Sequence, residues 1–106
     1  MSREILLLVD ALAHEKNVAR EVIFTALELA LASATKKKHD SGVDIRVEID
    51  QETGEYQTFR CWTILPEEEI ENPDAEITIE DERSKGKANN DLIKELIPSE
   101  EFGRIG

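Results

Sequence analysis

The sequence predicts an α+β domain in which two N-terminal helices pack on a small antiparallel sheet of about three to four short strands. Helical periodicity over the first 38 residues, strict alternation from Val43 and a hairpin signal after Asp50 support this prediction. A further short helix and the start of a C-terminal linker helix complete the predicted order. A chain of 106 residues has the usual size of one domain, so we expect a single domain over residues 1–106.

Two helices account for the predicted N-terminal part. The first begins near Ser2, a suitable N-cap, and ends near His14–Lys16, with an inner face formed by Ile5, Leu8, Val9 and Leu12. Asn17 marks a short connection, and the second helix runs from Arg20 to Lys38. Apolar residues recur in it at three- and four-residue intervals, which predicts a buried stripe of Ala19, Val22, Ile23, Ala26, Leu27, Ala30 and Ala34.

The strands are predicted by a change of period. Apolar and polar residues alternate from Val43 to Asp50, the pattern of a half-buried strand. The polar, glycine-containing stretch Glu52–Glu55 indicates a hairpin, and Tyr56–Leu65 should return antiparallel until Pro66 ends it.

The last third of the chain gives weaker signals. Glu67–Asp74 indicates an acidic surface loop, and Ala75–Ile79 a short third strand that passes into a helical turn near Glu82. The run Asp91–Ile97 fits either a helix or a short buried strand, and spacing alone does not separate them. Ser99 resembles the cap of a helix that begins as the sequence stops, as expected of a domain excised from a longer protein.

The net charge of −11 is unevenly distributed. Residues 1–38 hold six basic residues and five acids, whereas residues 39–106 hold seven basic residues and nineteen acids. Such a charge should repel nucleic acid in bulk, because non-specific affinity comes from phosphate neutralisation. Contact with RNA would therefore have to be local, and the main partner surface should be basic or neutral.

Residues that could carry catalysis or bind a metal do not form a recognisable pattern. Cys61 is the only cysteine, which excludes an internal disulfide and suits a reducing, cytoplasmic setting. His14 and His39 have no cysteine or acid at ligand spacing, and Glu67–Glu69 lacks the spaced oxygens of a calcium loop. We therefore expect no enzymatic activity, no cofactor and no metal site. The N-terminus has no signal-peptide pattern, and no segment is long and apolar enough to span a membrane.

Two features suggest binding. Lys36, Lys37 and Lys38 end the second helix, where cations complement the helix dipole and also form a dense basic cluster. The aromatic residues Tyr56, Phe59 and Trp62, with Arg60 between them, allow the alternative of an autonomous single-stranded RNA-binding module. A small acidic adaptor for another basic protein is a further alternative.

Three blocks of this sequence resemble the N-terminal domain family of the bacterial transcription factor NusA. They are EILLLVDALAHEKNVAREVIFTALELALASATKKK, DIRVEIDQETGEYQTFRCW and EFGRI, in that order. The resemblance covers Glu4 to about Trp62 and returns at residues 101–106, whereas residues 66–97 match only in outline.

The resemblance implies a domain that docks on RNA polymerase near the RNA exit channel, largely through the flap of the β subunit. It also implies roles in elongation, pausing, termination and antitermination, without the S1 and KH domains that follow in the family. Lys36, Lys37 and Lys38 match the family's lysine cluster, and Arg104 matches the arginine of its FxRI motif, so these four should lie near nascent RNA or the polymerase. Cys61 stands where the family commonly has a basic residue. We expect a monomer with no DNA or membrane partner.

Overall fold

The computed structural model describes residues 2–39 and 42–98. Its elements are α1 (Ser2–Lys16), α2 (Arg20–Lys38), β1 (Asp44–Ile49), β2 (Tyr56–Ile64), β3 (Glu76–Ile77) and β4 (Leu92–Ile97). Two 3-10 turns, Glu67–Glu69 and Glu82–Ser84, flank β3. Two helices packed on a four-stranded sheet confirm the predicted α+β class, and the helix start predicted at Ser99 lies outside the described residues.

Strand β2 is the centre of the sheet. It pairs antiparallel with β1 and with β4, and parallel with the two residues of β3. Thr63 pairs with Leu92 of β4 and with Glu76 of β3, so these two strands lie on opposite edges of β2. Strand β3 therefore pairs with the same edge of β2 as β1 does, but nearer the C-terminal end of β2.

The sheet differs from the prediction in the direction of one strand, and it decides the assignment of Asp91–Ile97, which the sequence left open. It is mixed rather than wholly antiparallel, because the stretch 65–75 is long enough to carry the chain back for a parallel pairing. The ambiguous run Asp91–Ile97 contains strand β4, which pairs with β2 along its whole length. The predicted further helix is the 3-10 turn Glu82–Ser84, where the Asp81 carboxylate accepts a hydrogen bond of 2.9 Å from the Arg83 amide.

Alternation in β1 places its apolar residues under the helices, as predicted. Val43, Ile45, Val47 and Ile49 are all buried, and the last two join a core formed with Val9, Ala13, Ile23 and Phe24. A second cluster lies at the other end of the sheet and consists of Trp62, Ile64, Ile77 and Ile93. The helices thus cover one end of the sheet, and the β3 segment covers the other.

The buried stripe of α2 is not the predicted one. Ile23 and Leu27 lie on it, but it continues through Phe24 and Leu31, whereas Val22 is 55% exposed. The four predicted alanines, Ala19, Ala26, Ala30 and Ala34, are also exposed. Burial of apolar area favours the larger side chains, so the helix turns Phe24, Leu27 and Leu31 towards the sheet and leaves these four alanines outside. Leu8 of α1, also predicted as core, is 46% exposed.

The β1–β2 hairpin packs closely against the start of α1. Gly54 has a φ of +79°, and a Cβ atom there would lie 2.0 Å from the carbonyl oxygen of Ser2. Asp50 begins the turn, and its carboxylate accepts hydrogen bonds from the amides of Glu52 and Thr53, which lower the pKa of Asp50. This hairpin, predicted from its glycine and polar residues, therefore needs glycine for both conformation and space.

Helix α2 also protects the free edge of β1. The Glu28 carboxylate accepts a hydrogen bond of 2.9 Å from the Ile49 amide. An unpaired strand edge invites pairing with another chain, and a side-chain cap of this kind reduces that tendency. The helix is therefore held against the sheet by a polar contact as well as by the core.

Candidate functional site

The lysine cluster lies at the C-terminal end of α2, with all three side chains exposed. The His39 amide donates to the Lys36 carbonyl at 3.1 Å and closes the last turn. Successive helical residues point about 100° apart, so the three lysines surround the helix end rather than form a one-sided patch. The cluster predicted from sequence therefore presents cations in three directions.

Lys38 differs from its two neighbours in its surroundings. It lines an open groove of ≈ 1110 Å³ between the second half of α2, the hairpin and the end of β4. Three carboxylates, those of Glu48, Asp50 and Glu55, line the same groove and weaken the positive potential there. Lys36 and Lys37 do not line this groove, so they form the exposed positive edge.

The outer side of α2 carries an apolar surface, two residues of which, Val22 and Ala26, are core residues in the prediction from sequence. Val22 is 55% exposed and Leu29 is 67% exposed, and the small residue Ala26 lies between them. Ser33 and Lys36 continue the same side of the helix at three- and four-residue steps. We call the five residues Val22, Ala26, Leu29, Ser33 and Lys36 the outer seam. In the sequence, the sign of this surface is a second apolar stripe that contains Leu29 and competes with the buried stripe of α2.

The aromatic group does not form a continuous stacking surface. Strand alternation places Tyr56 and Trp62 on the helix side of the sheet and Phe59 on the other side. Trp62 is only 4% exposed, and the guanidinium carbons of Arg60 and Arg83 lie 4.7 Å from its ring centroid. The Trp62 ring is therefore already covered by side chains of the domain itself.

Asp81 holds one of these arginines in place. Its carboxylate accepts side-chain hydrogen bonds of 2.9 and 2.8 Å from Arg83, and these bonds, together with one from the Arg83 amide, lower the pKa of Asp81 to about 2.

On the other side of the sheet, the Lys94 ammonium lies 4.7 Å from the Phe59 ring centroid. Of the three aromatic rings, only Tyr56, which is 43% exposed, is substantially open to solvent.

The remaining candidate groups do not assemble into a reactive site. Cys61 is fully buried, and burial raises the pKa of its thiol, with a further contribution from Asp44. His14 and His39 are exposed on different helix ends. Within residues 2–39 and 42–98, no group of three or more histidines, cysteines and acids could hold a metal ion. No helix in that part of the chain combines the length and apolarity needed to cross a lipid bilayer. Arg104 lies outside the described residues.

Comparison with known proteins identifies the family of this chain. A model of the NusA N-terminal domain matches residues 4–106. The chain belongs to the NusA N-terminal domain family. The resemblance seen in the three sequence blocks is thereby confirmed, and the matched range includes both the lysine cluster and Arg104.

Two relatives with similar sequences are NusA proteins. The chain is 30% identical over 104 residues to the transcription termination/antitermination protein NusA of Rickettsia conorii and, likewise, to that of Rickettsia prowazekii. Each alignment covers 96% of this chain and 20% of the relative, so the chain spans about a fifth of their length.

A solved structure supports the NusA fold. The solution structure of the N-terminal domain of NusA from B. subtilis aligns with a TM-score of 0.70 and 30% identity. The alignment covers 99% of this chain and 85% of the other. Family, sequence relatives and fold therefore agree over nearly the whole chain.

Proposed function

We propose that this domain docks on bacterial RNA polymerase near the RNA exit channel, at the flap of the β subunit, and modulates pausing, termination and antitermination. The observation that carries the proposal is the exposed apolar side of α2, which leads directly into Lys36 and Lys37 in an otherwise acidic domain. Exposed apolar surface beside a polar rim is typical of a protein-binding site. The relatives named above are termination/antitermination proteins, in keeping with this role.

The proposed mechanism is a non-enzymatic clamp acting in the cytoplasm. The helical surface and neighbouring loops bind the flap, while Lys36–Lys38 and Arg104 meet RNA as it leaves the channel. Screening over about 8 Å at physiological ionic strength limits these charges to short range, so acids elsewhere in the domain do not cancel the charges of Lys36 and Lys37, which lie outside the acidic groove. The domain changes pausing only to the extent that it contacts the paused and elongating complexes differently.

The geometry gives less support to an autonomous RNA-binding module. That alternative needs Tyr56, Phe59 and Trp62 on one accessible surface, whereas strand alternation separates them and Trp62 is buried. The excess of acids in residues 39–106 also opposes RNA binding that is not positioned by a partner.

Binding to core polymerase with and without the flap tests the proposal. We expect a monomeric domain to bind intact core polymerase at near-physiological ionic strength and to lose most of that affinity when the flap is deleted. Fluorescence anisotropy of a labelled domain measures both affinities. Equal binding to the two polymerases would place the docking site elsewhere, and failure to bind either would reject polymerase docking.

A further inference from the structure

Part of the β1 edge is open for pairing with another strand. The Ile49 amide donates to Glu28 rather than to β2, so the odd-numbered residues of β1 direct their main-chain groups away from the sheet. Strand alternation gives Ile45 and Val47 the same direction. The Glu28 cap reaches only the Ile49 end of this edge, and an uncapped strand edge is a template for another chain.

An open groove of ≈ 400 Å³ runs along this part of the edge, between α2 and residues 44–47. Leu29 of the outer seam, which is 67% exposed, lines the groove together with Thr25 and Ala32 of α2. The groove therefore offers main-chain hydrogen bonds on its β1 side and apolar contact on its α2 side.

We propose that two copies of this domain associate by pairing their β1 strands edge to edge and antiparallel, with Ile45 of one copy opposite Ile45 of the other. In this register Asp44 of each copy lies opposite Arg46 of the other, so the two-fold symmetry forms two ion pairs between the copies. The Asp44 and Arg46 side chains are 27% and 52% exposed, on the side of the sheet opposite the helices. Both are therefore accessible to a second copy.

The charges select this register among those that the edge allows. Pairing Arg46 with Arg46, or Asp44 with Asp44, places like charges directly opposite each other, which is destabilising. A further shift, with Val47 opposite Val47, needs the Ile49 amide, which is already bonded. The register centred on Ile45 therefore agrees with both the charges and the free main-chain groups.

Helix α2 supports the same pairing. A two-fold axis perpendicular to the joined sheet places both α2 helices on one side of it, antiparallel to each other, with the groove-lining Leu29 of each facing the other helix. Glu21, in the first turn of one helix, then lies towards the lysine end of the other. Most of the acid excess lies outside this contact, because residues 50–82 hold twelve acids and one basic residue, Arg60.

The dimer is a state of the free domain and replaces the monomer expected from the sequence. It covers the outer seam, the apolar surface that the proposed function assigns to polymerase, so only the monomer docks. This consequence rests on the proposed function, whereas the dimer itself does not.

Charge reversal, followed by sedimentation equilibrium, tests the pairing. We expect the unmodified chain to show a concentration-dependent equilibrium between monomer and dimer. Arg46→Asp and Asp44→Arg should each raise the dissociation constant of the dimer by more than about tenfold, because each creates two like-charge pairs in the contact. Mixed together, the two variants should form a heterodimer, since one copy then offers two cations and the other two acids.

Lys87→Asp is the matched control for net charge. It makes the same charge change as Arg46→Asp at an exposed residue in the turn before β4, and it should alter the dissociation constant less than about twofold. A chain that stays monomeric at every concentration, single variants that dimerise as well as the unmodified chain, or a mixture that forms no heterodimer would overturn the inference. These measurements contain no polymerase, so their failure leaves the proposed function standing.

Cysteine crosslinking checks the register independently. Copies carrying Asp44→Cys and copies carrying Arg46→Cys, mixed under oxidising conditions, should join by a disulfide, because directly opposed residues of this kind have Cα atoms about 4.5 Å apart. Either variant alone should join far less, since its cysteines lie on a diagonal of roughly 7–8 Å. Native Cys61 is buried and does not compete. Equal crosslinking of one variant alone would mean a different register and contradict the inference.

Discussion

Phe24→Ala is expected to lower the free energy of unfolding by about 3–5 kcal/mol, the range for deleting a buried aromatic side chain. Phe24 is 1% exposed and packs in the core that joins both helices to β1. Domains of this size are stable by only about 5–15 kcal/mol, so the loss would be a large share of the total. Urea denaturation followed by circular dichroism measures it.

Val22→Ala is the matched control, because it removes apolar atoms from the same helix on its exposed side. We expect it to change stability by no more than about 0.5 kcal/mol. Leu27→Ala should fall between the two, since Leu27 is only partly buried against the same core. A small loss for Phe24→Ala, or an equal loss for Val22→Ala, would mean that α2 presents a different side to the sheet.

The double variant Lys37→Ala with Arg104→Ala is expected to reduce pause enhancement by the order of tenfold while leaving thermal stability nearly unchanged. A pair of unit charges at 4 Å interacts by about 1 kcal/mol in water, so losing two such contacts has an effect of this size. Lys37 is exposed at the end of α2, where truncation to alanine removes charge without opening the core. Single-round transcription through a pause site measures the pause lifetime.

Lys85→Ala with Lys87→Ala provides a control of equal charge change. Both lysines are exposed in the turn after the second 3-10 segment, to which no partner contact is assigned. We expect this pair to leave pausing unchanged. If both double variants impair pausing equally, net charge rather than position is responsible; if neither does, the proposed role of the cluster is wrong.

The sequence predicts those parts of the fold in which the pattern of apolar and polar residues fits only one structure. Alternation from Val43 to Ile49 admits one assignment of buried and exposed sides, and the hairpin around Gly54 has few other conformations available. The lysine cluster was also visible, because it requires only that α2 continue to Lys38. The resemblance to the NusA family rested on these same segments.

Other parts depended on contacts distant in sequence. Helix α2 has two apolar stripes, and only the sheet beneath it selects Phe24 and Leu31 over Val22 and Ala26. The pairing of β4 with β2 decides that Leu92–Ile97 is a strand, and the parallel placement of β3 depends on the path of residues 65–75. The exposed side of α2 is not predicted for the same reason, because the sequence pattern places two of its residues, Val22 and Ala26, in the core.

Crosslinking from position 37 to nascent RNA in a paused transcription complex tests the central claim most directly. With a photo-reactive amino acid in place of Lys37, we expect attachment to radiolabelled RNA in complexes with intact polymerase and little attachment when the flap is deleted. Attachment of equal strength to free RNA, or none from a domain that is demonstrably bound to polymerase, would contradict it.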